Sequence, residues 1–317
     1  MSMDKVYVSA LGSYINDEIT SFFLVNEKEL RESAKKDLFL RLRLSDKSGN
    51  VAANIWNNAK KLKDNFEEGD VVKVKGIVIS YKGQTQLTIN NIRKADEVEY
   101  DLSEFMPQTN KNVNSLSDML FHYIDNTKDE YIQKLLQSIF GDKEFLPLFM
   151  RAPAAKSWHH NYLGGLLEHT VSVARICDFA SHLYPVQTDF LIAGALLHDI
   201  GKVYEYNTKT VIDFSTVGRL IGHICLGDQL ICDKARDINE FPANTLMKLR
   251  HLILSHHGEY EKAAARLPQT LEAIVLHYAD NLDAQSVGVT QLVEASLKAD
   301  SEWSEFDRIH ERYFYLG

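Results

Sequence analysis

The sequence predicts a multidomain protein of mixed α and β structure, with a five-stranded N-terminal β-barrel followed by an all-α C-terminal domain. Three observations predict it. Apolar residues alternate with period two in short runs between residues 14 and 93, the signature of half-buried strands. From Leu163 onward they recur at helical spacing nearly to the end of the chain, as amphipathic helices require. Histidine is divided just as sharply: all 12 lie at or after His122, so imidazole chemistry belongs to the second part. With 317 residues, 45% hydrophobic and 25% charged, the chain has the length for about two domains and an ordinary globular composition. Disorder and collagen-like repetition are excluded. The expected division is a barrel at 12–108, a helical connector at 109–156 and a helical domain at 157–317.

The strands can be read in order. Residues 39–44 alternate strictly, residues 46–50 supply turn chemistry, and residues 51–56 resume an extended pattern, which makes a hairpin. Residues 57–68 are polar and lysine-rich with Leu62 and Phe66 at helical spacing, so a helix is expected there. Two further alternating runs, 71–80 and 84–92, flank Lys82-Gly83. Three strands, a helix and two strands resemble the OB-fold, a curved barrel with one face for oligonucleotides or oligosaccharides. The candidate nucleic-acid-binding residues are Arg41, Arg43, Trp56, Lys73, Lys75, Tyr81 and Lys82. They mix cations with aromatics, the combination that follows phosphates and stacks bases without reading sequence. Alternating lysine is also the ordinary solvated side of a strand, and Trp56 would serve equally as barrel core.

A net charge of −9 excludes coating nucleic acid by bulk attraction. Residues 1–110 carry 16 Lys and Arg against 17 Asp and Glu, and the remainder 19 against 27, so the acid sits with the histidines. Cys177, Cys225 and Cys232 fall in apolar helical patterns, which suits reduced, buried thiols and a cytoplasmic location. No apolar stretch approaches the ~18 residues that span a bilayer, and the N-terminus lacks a basic flank with an apolar run behind it. A soluble, unexported protein without membrane contact is expected.

Several helices deliver histidine or aspartate inward. His169 lies on the stripe Leu166, Val173, Ile176, Ala180, Leu183, and the nearly all-apolar segment 190–200 ends in His198-Asp199 before Gly201. His223 shares a face with Leu226 and Leu230, His256-His257 end the stripe from Leu249 to Ile253, and Asp280 lies with Ala273, Leu276 and His277. One inward histidine is ordinarily a hydrogen-bonded core residue. Five histidines and two aspartates together are costly to bury unless a cation accepts their lone pairs. Imidazole and carboxylate without thiolate favour Mn, Fe, Co, Ni or Zn, with Mn²⁺ the first expectation, and more than four ligands suggest two ions sharing a bridge.

These residues carry a family resemblance. Glu168-His169-Thr170, Leu197-His198-Asp199-Ile200-Gly201-Lys202, Gly222-His223, Ser255-His256-His257-Gly258 and Tyr278-Ala279-Asp280 resemble, in order and spacing, the HD superfamily of metal-dependent phosphohydrolases. With the OB-like module in front, and with the run from His159 to His169, the chain is similar to the bacterial YhaM-type 3′-5′ exoribonucleases over about residues 12–315. The resemblance implies that His169, His198, Asp199 and Asp280 hold one ion. Asp199 then bridges to a second held by His223, His256 and His257, where the ligating member of the pair stays open. His257-Gly258-Glu259-Tyr260-Glu261 is not followed by Gly-Tyr-Pro, a departure from the cyclic-dinucleotide subgroup.

Phosphodiester hydrolysis needs a nucleophile, in-line geometry and a stabilised leaving oxygen, and a metal-bridging hydroxide is expected to attack phosphorus. Asp199, Lys202 and His160 are the candidate catalytic residues: the bridge, a point charge for phosphate, and a group that binds substrate or protonates the leaving oxygen. Arg219 is a weaker phosphate candidate, and Glu168 either orients a ligand or is a surface residue. The expected activity is 3′-5′ hydrolysis of single-stranded RNA, with single-stranded DNA also open, to nucleoside 5′-monophosphates. The alternatives are an HD-type nucleotide or cyclic-nucleotide phosphohydrolase regulated by the OB module, and a nucleic-acid-binding protein with the helical part as scaffold. Residues 303–315 are expected to form a packed C-terminal helix, with self-association as a homo-oligomer its other use.

Overall fold

The computed structural model describes residues 5–33, 36–156, 158–208, 212–296 and 301–317. Residue 157, where the sequence reading begins the helical domain, lies outside them. Two units emerge, one within Met1–Pro107 and the other formed by Gln108–Thr208 with Ile212–Gly317.

In the first unit the alternating runs become β1 (Glu18–Glu32), β2 (Leu38–Asp46), β3 (Gly49–Ile55), the single turn α1 (Ala59–Leu62), β4 (Val71–Tyr81) and β5 (Gln84–Lys94). They close a barrel in the order β1-β2-β3-β5-β4. Closure depends on β1 serving two neighbours. Its first half pairs with β4 from Glu18↔Ile77 to Leu24↔Val71, its second half with β2 as far as Glu32↔Leu38, and a bulge between Val25 and Glu27 turns it. Phe23, Leu40, Leu42, Leu44, Val74 and Leu87 point inward into one core. At a second irregularity, in β4, a Cβ on Gly76 would stand 2.5 Å from the Thr88 carbonyl oxygen, so only glycine lets β5 approach. The helix expected over 57–68 shrinks to α1 and a 3-10 turn, Lys63–Asn65. With Leu62 and Phe66 as its main apolar anchors, the segment has too small an apolar face to hold more turns.

The second unit begins with α2 (Val113–Asp125), α3 (Glu130–Phe140) and α4 (Phe145–Arg151). These helices of the connector stretch place Leu120, Leu136, Phe140 and Phe149 in the same core as the helices that follow. Next come α5 (Gly165–Ser181), α6 (Thr188–Leu197), α7 (Lys202–Glu205), β6 (Tyr206–Thr208), β7 (Ile212–Phe214), α8 (Thr216–Ile221), α9 (His223–Arg236), α10 (Ala243–Ser255) and α11 (Leu271–Ser296). Apolar nearly all round, α6 is the central helix, packed against α5, α10 and α11.

Three expectations are corrected. The β6–β7 hairpin interrupts the helical pattern. Residues 303–315 fold back through the bridges Trp303↔Tyr315 and Asp307↔Arg312 instead of forming a helix. Asp307 Oδ1 accepts from the His310 backbone N–H at 2.8 Å and Ser304 Oγ from that of Phe314 at 3.0 Å, local bonds that compete with a helical ladder. Of the three free cysteines, Cys177 is buried, but Cys225 is exposed and Cys232 only half-buried. No helix of the described residues is long and apolar enough to cross a membrane.

Candidate metal centre and nucleic-acid face

The seven predicted ligands come from four places in the helical unit: His169 on α5, His198-Asp199 just after α6, His223 at the start of α9, His256-His257 just after α10, and Asp280 on α11 makes the fifth. They converge as two groups, His169 with His198 and Asp280, and His223 with His256 and His257. Asp199 stands between them and divides its oxygens. Oδ2 lies 3.5 Å from His169 Nε2 and 3.3 Å from His198 Nε2, while Oδ1 lies 3.6 Å from His223 Nε2 and 3.7 Å from His256 Nε2. Asp280 Oδ1 completes the first group at 3.1 Å from His169 Nε2.

Each imidazole has its other nitrogen occupied. Nδ1 of His198 donates to the Ala195 carbonyl at 2.9 Å, Nδ1 of His256 to that of Ile253 at 2.7 Å, and Nδ1 of His257 to that of Lys262 at 2.6 Å. His169 Nδ1 bonds Asp283 Oδ2 at 2.7 Å, and His223 Nδ1 meets both oxygens of Glu205 at 3.0 Å. All five rings therefore turn Nε2 toward the centre, the arrangement in which histidine ligates.

The donor set fits a divalent cation. Asp199 Oδ1, His223 Nε2 and His256 Nε2 are buried with no hydrogen-bond partner, and leaving such atoms unpaired is costly. Ligand bonds of ~2.0–2.2 Å bring donor atoms to about 3–3.5 Å of one another, near the spacing found here. Burial pushes the Asp199 carboxyl up, but Lys202, His198 and His223 together hold it well below the usual carboxylate range. Burial likewise opposes charge on His169, yet hydrogen bonds with Asp280 and Asp283 lift its pKa to about 9. Carboxylates this close draw in positive charge, and a proton is the smallest form of it. His256 and His257 stay neutral, lowered first by burial and then by a neighbouring ring.

The candidate catalytic groups are placed differently from one another. Lys202 is 7% exposed, and its Nζ reaches Asp199 Oδ2 at 2.7 Å. It lines a cavity of about 230 Å³ with Trp158, His159, Asp199, His257 and Asp280. His160 is fully buried, with Nε2 on Asp283 Oδ2 at 2.8 Å and Nδ1 on the Tyr162 hydroxyl at 2.9 Å. It braces the carboxylate that holds His169. Glu168 is buried rather than at the surface, bonded to Thr109, Tyr162 and Lys111. Arg219 lies outside the cluster, paired with Asp213 at 3.0 Å. Sequence reasoning missed Asp283 and Glu205. Asp283 sits three residues after Asp280 on α11, a spacing that shares a helix face and was a usable signal.

On the barrel, the seven predicted nucleic-acid residues separate. Arg41 and Arg43 line an outer recess of about 610 Å³ with Glu27, Glu29 and Asn50. Trp56 is not barrel core: it is 47% exposed and stacks on Phe39 at 4.5 Å. Tyr81 and Lys82 occupy the β4–β5 turn, whose Gln84 and Thr85 also line the recess. Lys73 and Lys75 lie on β4 where it pairs with β1, tied to Glu99 at 3.7 Å and Glu18 at 3.0 Å.

Comparison with known proteins agrees with this geometry. The HD domain family matches residues 166–285, which contain every ligand above, and the OB-fold nucleic acid binding domain family matches residues 25–95. The 3′-5′ exoribonuclease YhaM of Bacillus velezensis is 32% identical over 282 residues, covering 88% of this chain and 89% of that one. Among solved structures, a domain of replication protein A from Methanococcus maripaludis is 23% identical, covering 26% of this chain and 87% of its own, with a TM-score of 0.23. The single-stranded DNA binding protein of Thermus aquaticus is 14% identical, covering 25% and 40% respectively, with a TM-score of 0.23. An OB-fold barrel and an HD domain on one chain, with this identity along nearly the full length, place the protein in the family of YhaM-type 3′-5′ exoribonucleases.

Proposed function

We propose that the chain degrades single-stranded RNA from its 3′ end to nucleoside 5′-monophosphates, using two divalent ions with Mn²⁺ as the expected occupant. His169, His198 and Asp280 would hold one ion, His223, His256 and His257 the other, and Asp199 would touch both. The observation that carries this reading is the common orientation of the five rings, every Nδ1 occupied and every Nε2 directed at the two faces of one carboxylate. Such ions supply a lowered water pKa and a polarised phosphodiester.

The chain's own groups do the rest. Lys202, fixed against Asp199, stands as a positive charge in the cavity wall, suited to receive the terminal phosphate. His160 acts through Asp283 on the orientation of His169 and is a positioning residue rather than a proton donor to substrate. Arg41, Arg43 and Trp56, around the open recess, suit a strand's phosphates and bases better than Lys73 and Lys75, whose charges already have acidic partners. Free thiols and the lack of a spanning helix among the described residues fit a reducing cytoplasm.

Incubating 3′- and 5′-labelled single-stranded RNA with Mn²⁺, with chelator, and with the Asp199→Ala variant tests the reading. Mononucleotides released from the 3′ end, only with metal and only by the intact chain, are expected. RNA left whole under every divalent metal while small nucleotides are hydrolysed would sink it in favour of a nucleotide phosphohydrolase.

A further inference from the structure

Residues 301–317 pass beside the catalytic cavity. The bridges Trp303↔Tyr315 and Asp307↔Arg312 make them a hairpin whose tip is the turn at 308–311. Three contacts fix the tip to the helical unit. His310 Nε2 bonds the Gln285 side chain on α11, its Nδ1 bonds Asp307 Oδ1 at 2.8 Å, and its ring lies 5.0 Å from Trp158. Ile309 consequently lines the same cavity as Asp199, Lys202 and Asp280.

Away from the tip the arms carry paired rings. Trp303 and Tyr315 have centroids 5.3 Å apart, and Phe306 and Tyr313 are 5.2 Å apart. Tyr313 and Tyr315 are two positions apart on one arm, the spacing that turns side chains to one face of an extended chain. All four rings are between 49 and 59% exposed. So much aromatic surface left in water beside a cavity marks an interaction face. Its occupant is constrained by charge: Glu302, Glu305, Asp307 and Glu311 outnumber Arg308 and Arg312, so the face does not attract phosphates in bulk. It offers π-surfaces, and every base has one.

We propose that Trp303, Phe306, Tyr313 and Tyr315 form a stacking track for unpaired bases, along which single-stranded RNA reaches the catalytic cavity past Ile309. The inference rests on the exoribonuclease reading and extends it: the helical unit grips bases itself, by stacking, apart from the barrel. The track is blind to sequence and excludes a base-paired end, whose bases are already stacked on each other.

The test is equilibrium binding of a short 5′-fluorescent single-stranded RNA to the full chain in chelator, at several salt concentrations. Wild type is compared with Trp303→Ala/Tyr315→Ala and with Trp303→Phe/Tyr315→Phe. The alanine pair should bind about 10-fold more weakly or worse, with the salt dependence unchanged, and the phenylalanine pair should restore most of the loss. Unchanged binding by the alanine pair overturns the inference. So does a loss that follows a change in oligomeric state on size exclusion, which makes the face a contact with a second copy, or a parallel fall in dinucleotide kcat, which gives the rings a structural role. A wild-type chain that neither binds nor degrades RNA yet hydrolyses mononucleotides overturns the exoribonuclease reading as well, a result visible without any variant.

Discussion

Asp199 presents one oxygen to each histidine group, so Asp199→Asn should abolish RNA hydrolysis and lower bound metal, while retaining most strand binding in a filter or anisotropy assay. A subtler change is Asp283→Asn. The Asp283 carboxyl, pushed up by burial but held well below its ordinary range by His160 and His169, gives His169 a charged acceptor. Loss of that charge should cost about 10-fold in metal affinity, measured by competition with a chromophoric chelator, with near-normal folding. The two residues also show what the sequence makes legible. His198-Asp199 and His256-His257 are adjacent pairs on apolar stripes, so periodicity alone aims them inward. The bonds of Asp283 reach back 123 residues to His160 and 114 to His169, and pairing over such separations leaves no local pattern to read.

The turn between α6 and α7 shows how an element places the site. A Cβ on Gly201 would stand 2.0 Å from the His223 carbonyl oxygen and 2.6 Å from the Gly227 nitrogen, so backbone meets backbone where Asp199 and His223 must converge. Gly201→Ala should therefore destabilise the helical unit by about 1–3 kcal/mol, read as a shift in urea midpoint, and reduce metal uptake as α9 is displaced. On the barrel, Lys5 lies with its ammonium 3.7 Å over the Phe105 ring. Burial pushes its pKa down to about 8, against the opposing pull of Asp46 and Glu104. Between about pH 8 and 10.5 the unfolded chain keeps this proton and the folded chain gives it up, so stability contributed at Lys5 rises with pH. Relative to Lys5→Met, the wild type should gain on the order of 1 kcal/mol across that window in chemical denaturation. Strands were legible because alternation is a local property. The β6–β7 hairpin, only three residues on each arm, is too short for a period to register, and the aromatic hairpin mimics helical spacing while its side chains bond their own backbone.

At the scale of the whole chain, two kinds of attraction should separate in one titration. Replacing Arg41 and Arg43 by Ala should flatten the dependence of log K on log salt by about 1.4, if each contacts one phosphate of a single strand. Trp56→Ala should weaken binding at every salt concentration and leave the slope alone. A slope unmoved by the double arginine change would remove the recess from the RNA path. Fold class and ligand set were both open to inspection of the sequence, since each rests on repeated local patterns. Which of the cationic residues face an open surface was not, because Lys73 and Arg41 look alike until Glu99 is seen at the side of one and a recess at the side of the other.

Three of the five liganding rings are held by backbone carbonyls of their own or a neighbouring turn, those of Ala195, Ile253 and Lys262. Peptide oxygens neither titrate nor swing away, so these donors keep their aim whatever the ionic conditions. Stripping and refilling such a centre is then a matter of ion exchange on a finished scaffold, with no refolding step in the cycle.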